Sequence, residues 1–356
     1  MTSTGLKRPA AALPPAAEST KMFQEAGSSG LLSAQQLAAN APLMAELGAL
    51  LREKKPRAVI TIARGSSDHA ATFARYLIET RLGILTSSLA PSISSVYEAK
   101  LGLENVLCLA VSQSGKSPDL IKSVETAKAA GAFVVALVNA PDSPLEALAD
   151  RTIPLRAGPE LSVAATKSFI LTLTAVLQLV SEWSADGELA DAVSALPGRL
   201  TEAWRQDWSP AVEALLLARN LFVVGRGLGF GVANEAALKF KETCGLHAEA
   251  FSSAEVQHGP MALVNEGFPV LAFAQHDETL SGLVDLAGRF AERGAEVLLA
   301  GVEVPGTRAL PAISGHPAVE PVLLIQSFYR MAAQLSVARG FDPDSPPHLN
   351  KVTSTI

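Results

Sequence analysis

Cysteine is nearly absent: Cys108 and Cys244 are the only two in 356 residues, and both lie in or near apolar patterns. They cannot build a disulfide framework and show no metal-ligand spacing, so a reducing, cytoplasmic setting is expected. Blocks of basic residues are missing as well. The 29 Lys and Arg against 35 Asp and Glu give a net charge of −6, which argues against a nucleic acid partner. No apolar run reaches bilayer length. The longest, Phe169 to Val180, is interrupted by Thr172, Thr174 and Gln178, so no membrane association is expected. The first twenty residues carry Lys7-Arg8 and then Ala and Pro without a continuous apolar segment, and read as a loose tail rather than a signal peptide.

Nucleotide fingerprints are also lacking. No Gly-x-x-x-x-Gly-Lys-Ser/Thr occurs, and Gly225-Arg226-Gly227-Leu228-Gly229-Phe230-Gly231 places Phe230 or Val232 where a third glycine is required. That stretch is expected to form a tight turn that lets the next helix pack closely. His247, Glu249 and His258 have no zinc spacing, and neither a metal nor an organic cofactor is expected.

What is present is a chain long enough for two domains, with 48% hydrophobic and 18% charged residues. Strand-like and helix-like segments alternate, which predicts α/β architecture with parallel sheets. The alternation repeats. Ala58 to Gly65 parallels Asn220 to Gly227 at an offset of 162, which takes Arg64 to Arg226. The same offset takes Ala110-Val111-Ser112-Gln113 to Ala272-Phe273-Ala274-Gln275, and Gly131 to Ala136 matches Gly294 to Leu299 at 163. The expected fold is therefore two tandem doubly wound domains, residues 43–183 and 207–340. A tail and leading helix (1–42), a helical connector (184–206) and a C-terminal tail (341–356) complete the chain.

Between the strand-like run from Val106 to Val111 and a helical pattern from Asp119 to Ala130 lies Ser112-Gln113-Ser114-Gly115-Lys116-Ser117. A strand–loop–helix turn leaves free N–H groups at the helix start, where the dipole favours an anion. An ordinary Ser-capped helix needs one hydroxyl, and this loop offers three. The second copy reads Ala274-Gln275-His276-Asp277-Glu278-Thr279, an acidic loop unsuited to phosphate, so only the first copy is expected to bind an anion.

Lys239 and Glu242 lie three apart on one face of a strong helical pattern, the spacing of a surface ion pair or of an acid–base pair. His258-Gly259-Pro260 cannot continue a helix and presents an imidazole from a turn, a side chain suited to proton transfer. In the proline-rich tail, Lys351 could fold back into a pocket, where a desolvated amine would attack a sugar carbonyl.

These residues together resemble the sugar isomerase (SIS) family, and within it the isomerase half of glucosamine-6-phosphate synthase and the stand-alone type II glucosamine-6-phosphate deaminases. The resemblance runs from about Met22 to the C-terminus through Arg64-Gly65-Ser66-Ser67, the Ser112–Ser117 loop, and Ala157-Gly158-Pro159-Glu160 with Val163-Ala164-Ala165-Thr166-Lys167. Ala237 to Glu242, His247 to Ala250, His258-Gly259-Pro260 and Asn350-Lys351-Val352-Thr353 continue it. It implies that Ser67, Ser112, Gln113, Ser114 and Ser117 hold a sugar phosphate, with Gly65, Ser66 and Val163 lining the sugar pocket. Glu242 would move a proton between C1 and C2, Lys239 would assist near the reacting oxygens, and Lys351 would form an imine with the ketose. His258 would open the ring from the partner subunit of a homodimer. Two departures stand out: Arg64 and Ser66 replace a usual Cys and Thr, and Lys116 replaces a usual acid.

A synthase of this kind draws ammonia from glutamine with an N-terminal cysteine, whereas this chain begins Met1-Thr2-Ser3 and its first cysteine is Cys108. The expected reaction is therefore conversion of glucosamine 6-phosphate to fructose 6-phosphate and ammonia. Cleavage of a fructosamine 6-phosphate, or isomerisation without a glutaminase, is the alternative within enzymes. A non-catalytic sugar-phosphate sensor is the alternative outside them.

Overall fold

The apolar run around Cys108 forms the strand Val106–Ser112, buried along its whole length. Its side chains alternate between two cores: Leu107, Leu109 and Val111 face one cluster, and Val106, Cys108 and Ala110 face another. A strand covered on both faces needs no polar positions, and so its sequence reads as an unbroken apolar run.

The computed structural model describes residues 16–349 and 351. Lys7-Arg8 and most of the expected loose tail lie outside that range, as do Asn350, Val352 and Thr353 of the C-terminal motif. Ten strands occur among the described residues: β1 (Ala58–Ile62), β2 (Thr86–Ser88), β3 (Val106–Ser112), β4 (Phe133–Val138), β5 (Arg151–Pro154), β6 (Asn220–Gly225), β7 (His247–Ser252), β8 (Pro269–Phe273), β9 (Glu296–Ala300) and β10 (Arg308–Leu310). They form two sheets, ordered β2-β1-β3-β4-β5 and β10-β9-β8-β6-β7, and every pairing is parallel. Read from its other edge, the second order is the first one again. The α/β class with two related parallel sheets is as expected.

The repeat reaches the backbone dihedrals. Gly65 has φ 54° and ψ −132°, and Gly227 has φ 56° and ψ −128°. A side chain at that conformation is strained, which explains glycine at both. Each opens a helix of 17 residues, Ser66–Leu82 and Leu228–Cys244, and each helix closes on a left-handed glycine, Gly83 or Gly245.

One large core joins the copies. Leu107 and Leu109 of β3, Leu221 and Val223 of β6, and apolar residues of the helices Ser66–Leu82, Lys167–Ser184, Leu228–Cys244 and Glu320–Ala338 belong to a single buried cluster. Smaller clusters cover the outer faces, under the helices Pro118–Ala129 and Leu280–Glu292. The helix Ser29–Lys54 runs through the expected limit at residue 43, because Met44, Leu47 and Leu51 join the shared core.

The run Phe169 to Val180 lies inside the helix Lys167–Ser184. Its Thr172 and Thr174 hydroxyls donate to the Ser168 and Ile170 carbonyls, and Gln178 donates to Leu37 O. The run is buried in protein, and no described helix is long and apolar enough to cross a membrane.

The helices Ser66–Leu82 and Leu228–Cys244 meet backbone to backbone at Gly231. A Cβ there would lie 2.8 Å from His69 O and 2.9 Å from Phe73 N. Backbone atoms cannot rotate away, so Gly231→Val is expected to destabilise the protein by about 1–3 kcal/mol. A lowered urea midpoint with an unchanged slope would record this, and an unchanged midpoint would show that the seam yields freely.

Candidate active site

In a sheet ordered 2-1-3, the connections from β1 and β3 leave toward opposite faces and open a crevice beyond their carboxyl ends. The segment after β1 holds Arg64, Gly65, Ser66 and Ser67, and that after β3 holds the loop from Gln113 to Ser117. Ser112 is buried at the end of β3, and its Oγ accepts a hydrogen bond from Gly115 N at 3.0 Å. Ser114 Oγ accepts from Lys116 N at 3.3 Å. The loop is anchored from behind, where Gln113 O accepts from Ala140 N and Gly115 O from Leu145 N. A Cβ on Gly115 would strike the Ser143 side chain, so only glycine lets these segments meet. The helix Pro118–Ala129 follows at once, so its N-terminal end, the positive end of its dipole, adjoins the loop. At the rim Arg64, half exposed, donates from Nε and Nη2 to the buried Asp119 carboxylate at 3.0 and 2.9 Å.

The second copy shows what such a loop holds. Asp277 stands at the position of Gly115, and its carboxylate accepts from Thr279 N at 2.8 Å, Thr279 Oγ1 at 2.6 Å and the Gln275 side-chain amide. By the 162 offset, Gln275 and Thr279 correspond to Gln113 and Ser117. In the first copy, the side chains of Gln113 and Ser117 make no hydrogen bond to another described residue. Their donors are available to an external anion.

The helix Leu228–Cys244 aligns Glu235, Lys239 and Glu242 along one face. Lys239 Nζ lies 2.5 Å from Glu242 Oε2 and 3.3 Å from Glu235 Oε1, and it donates to Ser66 Oγ at 3.2 Å. The Glu235 carboxylate also accepts from Tyr329 OH at 3.0 Å and Ser66 Oγ at 3.2 Å, and it lies 3.0 Å from His69 Nδ1. Glu235 and Lys239 are fully buried, whereas the Glu242 side chain is 21% exposed.

Burial pushes the Glu235 carboxyl up, but Lys239 and the His69 and Ser66 contacts more than reverse this and hold it below the usual 4.5. Burial likewise works against the Lys239 ammonium. Glu235 and Glu242 outweigh it and raise the group above its usual 10.5. Burial, then the Glu235 charge, keeps the Tyr329 phenol protonated well above 10. Lys239 is thus a permanent cation beneath Glu242. Its Nζ touches Glu235, Glu242 and Ser66, the last of these in the segment that follows β1.

Lys351 is delivered by its tail. Asp344 accepts from Lys21 N and Met22 N at 2.8 Å each, capping the helix Lys21–Gly27, and Val163 N donates to Asp344 O at 3.1 Å. Lys351 Nζ then donates to Ser162 O at 2.6 Å and lies 3.6 Å from the buried Glu160 carboxylate. Glu160 itself accepts from Thr166 N, Ser168 N and Ser168 Oγ. Lys351 and Val163 are therefore brought together. His258 is exposed on the turn between Glu255–Gln257 and Pro260–Leu263, and its imidazole has no hydrogen bond or ion pair to another described residue. It is not brought to Glu242 within this chain.

Sequence reasoning missed Glu235, although it lies four residues before Lys239, and gave Glu160 no role. No local signal marks Tyr329 or Asp344, whose partners are distant in the chain. Among the described residues no group of three or more His, Cys, Asp or Glu could hold a metal. Cys108 and Cys244 are buried, and burial pushes both thiols up to about 12.

A family model described as SIS domain matches residues 50–182 and 214–300. The glutamine–fructose-6-phosphate aminotransferase (isomerizing) of Aeropyrum pernix is 35% identical over 322 residues, which cover 83% of this chain and 51% of that protein. The chain spans about half the length of the curated relatives it matches. A solved structure from Silicibacter pomeroyi DSS-3, provisionally named a phosphosugar isomerase, is 46% identical with a TM-score of 0.88, covering 91% of this chain and 100% of that one. The glucosamine-6-phosphate deaminase of Thermotoga maritima shares the fold, with a TM-score of 0.74 at 21% identity, covering 94% of this chain and 100% of that one.

Removing the Glu235 carboxylate leaves a buried ammonium short of one partner, so Glu235→Ala is expected to cost about 3–5 kcal/mol in chemical denaturation. The lowered Glu235 pKa contributes stability that is present above its unfolded value near 4.5 and is lost as pH falls through the lower folded value. Glu235→Gln should accordingly flatten the acid limb of the stability–pH curve below pH 4.5. An unaltered acid limb would contradict an ionised Glu235.

Proposed function

This chain belongs to the SIS domain family, and on that basis we propose that it is an aldose–ketose isomerase of amino sugar phosphates. The preferred reaction turns glucosamine 6-phosphate and water into fructose 6-phosphate and ammonia. The observation that carries this reading is the bond from Lys239 to Ser66 and Glu242. Lys239 links the partly exposed Glu242 carboxylate of the second copy to Ser66 at the helix start of the first, which supports a proton-moving carboxylate beside the anion crevice.

In this reading Gln113, Ser114, Ser117 and the N–H groups ahead of the helix Pro118–Ala129 bind the phosphate, helped by Ser67 and Ser112. Gly65, Ser66 and Val163 line the sugar. Glu242 takes the C2 proton of the open-chain aldose and returns it to C1, passing through an enolamine. The resulting ketose imine is hydrolysed, so that water supplies the C2 carbonyl oxygen and nitrogen leaves as ammonia. The bond from Lys239 holds the Glu242 carboxylate in place and limits its drift between strokes. In that hydrolysis Lys351 takes over the ketose imine, its amine displacing the nitrogen as ammonia, and water then cleaves the Lys351 imine to the C2 carbonyl and the free amine. His258 opens the ring from a second copy of the chain, a role supported by its exposed turn and by Leu263, an exposed apolar residue beside it.

Neither cysteine can attack glutamine, since both thiols are buried and pushed up to about 12.

Glu242→Gln is expected to lower kcat by about 10²–10⁴-fold with little change in KM, because a general base is lost and the phosphate contacts remain. Ser114→Ala should raise KM about tenfold, the worth of one hydrogen bond to a charged group. Unchanged substrate affinity in Ser114→Ala would mean that the loop does not hold the phosphate. Ammonia release from glucosamine 6-phosphate tests the whole reading, and tight binding of hexosamine 6-phosphates without any turnover would refute it.

A further inference from the structure

The second copy retains a cleft. Tyr76, Thr80, Gly227, Leu228, Asp277 and Glu278 line a cavity of about 420 Å³ beyond the ends of β6 and β8, within the ~300–1,000 Å³ typical of small-ligand sites. The 162 offset maps it onto the crevice described above. Gly227 and Leu228 stand at Gly65 and Ser66, Thr80 stands in register with Glu242, and Asp277, Glu278 and Thr279 stand at Gly115, Lys116 and Ser117. Arg81 also borders the cavity, on the side where Asp186 lies 3.6 Å from its guanidinium.

Three differences decide what this cleft can take. Asp277 already occupies the donors of Gln275 and Thr279, so the seat for a phosphate is filled by the protein's own carboxylate. Glu278, exposed and negative, replaces the positive Lys116, so a phosphate dianion entering here meets two like charges. Thr80 replaces the proton-moving glutamate, so a bound sugar would not be converted. Behind the turn at Gly227, the buried Gln275 keeps an amide oxygen with no partner among the described residues.

We propose that this second cleft binds an unphosphorylated hexosamine. Its ammonium lies at the end where the first cleft takes the phosphate, paired with the carboxylates of Asp277 and Glu278. The placement of the sugar rests on the reading of the first cleft as a sugar-phosphate site. The helix Ser66–Leu82 lines both clefts, with Ser66 at its start in one and Tyr76 and Thr80 near its end in the other.

Isothermal titration of the full chain with free glucosamine tests this. The expected result is saturable binding at one site per chain, with a Kd of about 1 mM or tighter, retained in Ser114→Ala. Glu278→Lys reverses a wall charge and Thr80→Phe fills the cavity, and each should weaken binding about tenfold while ammonia release in the first cleft is unchanged. Glucose, lacking the ammonium, should bind several-fold more weakly, and equal affinity would overturn the charge argument. Absence of saturable heat would overturn the site. So would binding lost in Ser114→Ala and kept in Glu278→Lys, which would place the sugar in the first cleft. Heat from an unphosphorylated sugar is read without turnover, so the outcome stands apart from the fate of the proposed reaction.

Discussion

The buried Lys239 ammonium is the constraint around which both copies are arranged. A charge with no access to water is costly unless it is paired and hydrogen-bonded. Here the partners come from two helices: Glu235 and Glu242 share its own, and Ser66 begins the matching helix of the first copy. Glu235 in turn needs His69 from that helix and Tyr329 from the helix Glu320–Ala338. The charge is therefore accommodated only when three helices from the two halves pack together. That same packing ties the partly exposed Glu242, through Lys239, to Ser66 of the first copy.

Duplication explains why the two crevices look alike, and a few side chains explain why they differ. Sheet order, the glycine pair at 65 and 227 and the helix lengths are common to both copies. Divergence falls on the loops beyond the strands, where it does not disturb packing. In one loop, donors remain open toward an anion. In the other, Asp277 turns them inward. Comparing the two copies within one molecule thus shows which loop donors a side chain of the protein already occupies.

Much of this was legible along the chain. Both-face burial makes β3 an unbroken apolar run, helical spacing put Lys239 and Glu242 on one face, and the repeat exposed the sheet order in outline. The expected helical start after Pro118 and the turn around Gly227 are where the sequence placed them. Less legible were the groups whose partners are far apart. Tyr329 meets Glu235 across 94 positions, and Asp344 caps a helix start 323 positions away. No periodicity or motif reports contacts of that span, because they arise from how helices cross rather than from how they form.

The sequence by itself determined the elements, the repeat and which loop carries hydroxyls, since each depends on spacing within a few residues. Tertiary structure decided that Lys239 is sealed among Glu235, Glu242 and Ser66, that the Glu242 side chain stays partly exposed, and that Lys351 lies against Ser162 and Glu160. It also left His258 outward, away from Glu242. These outcomes depend on burial and on distances between segments brought together only by packing, and burial sets which charges persist and which atoms a substrate can touch.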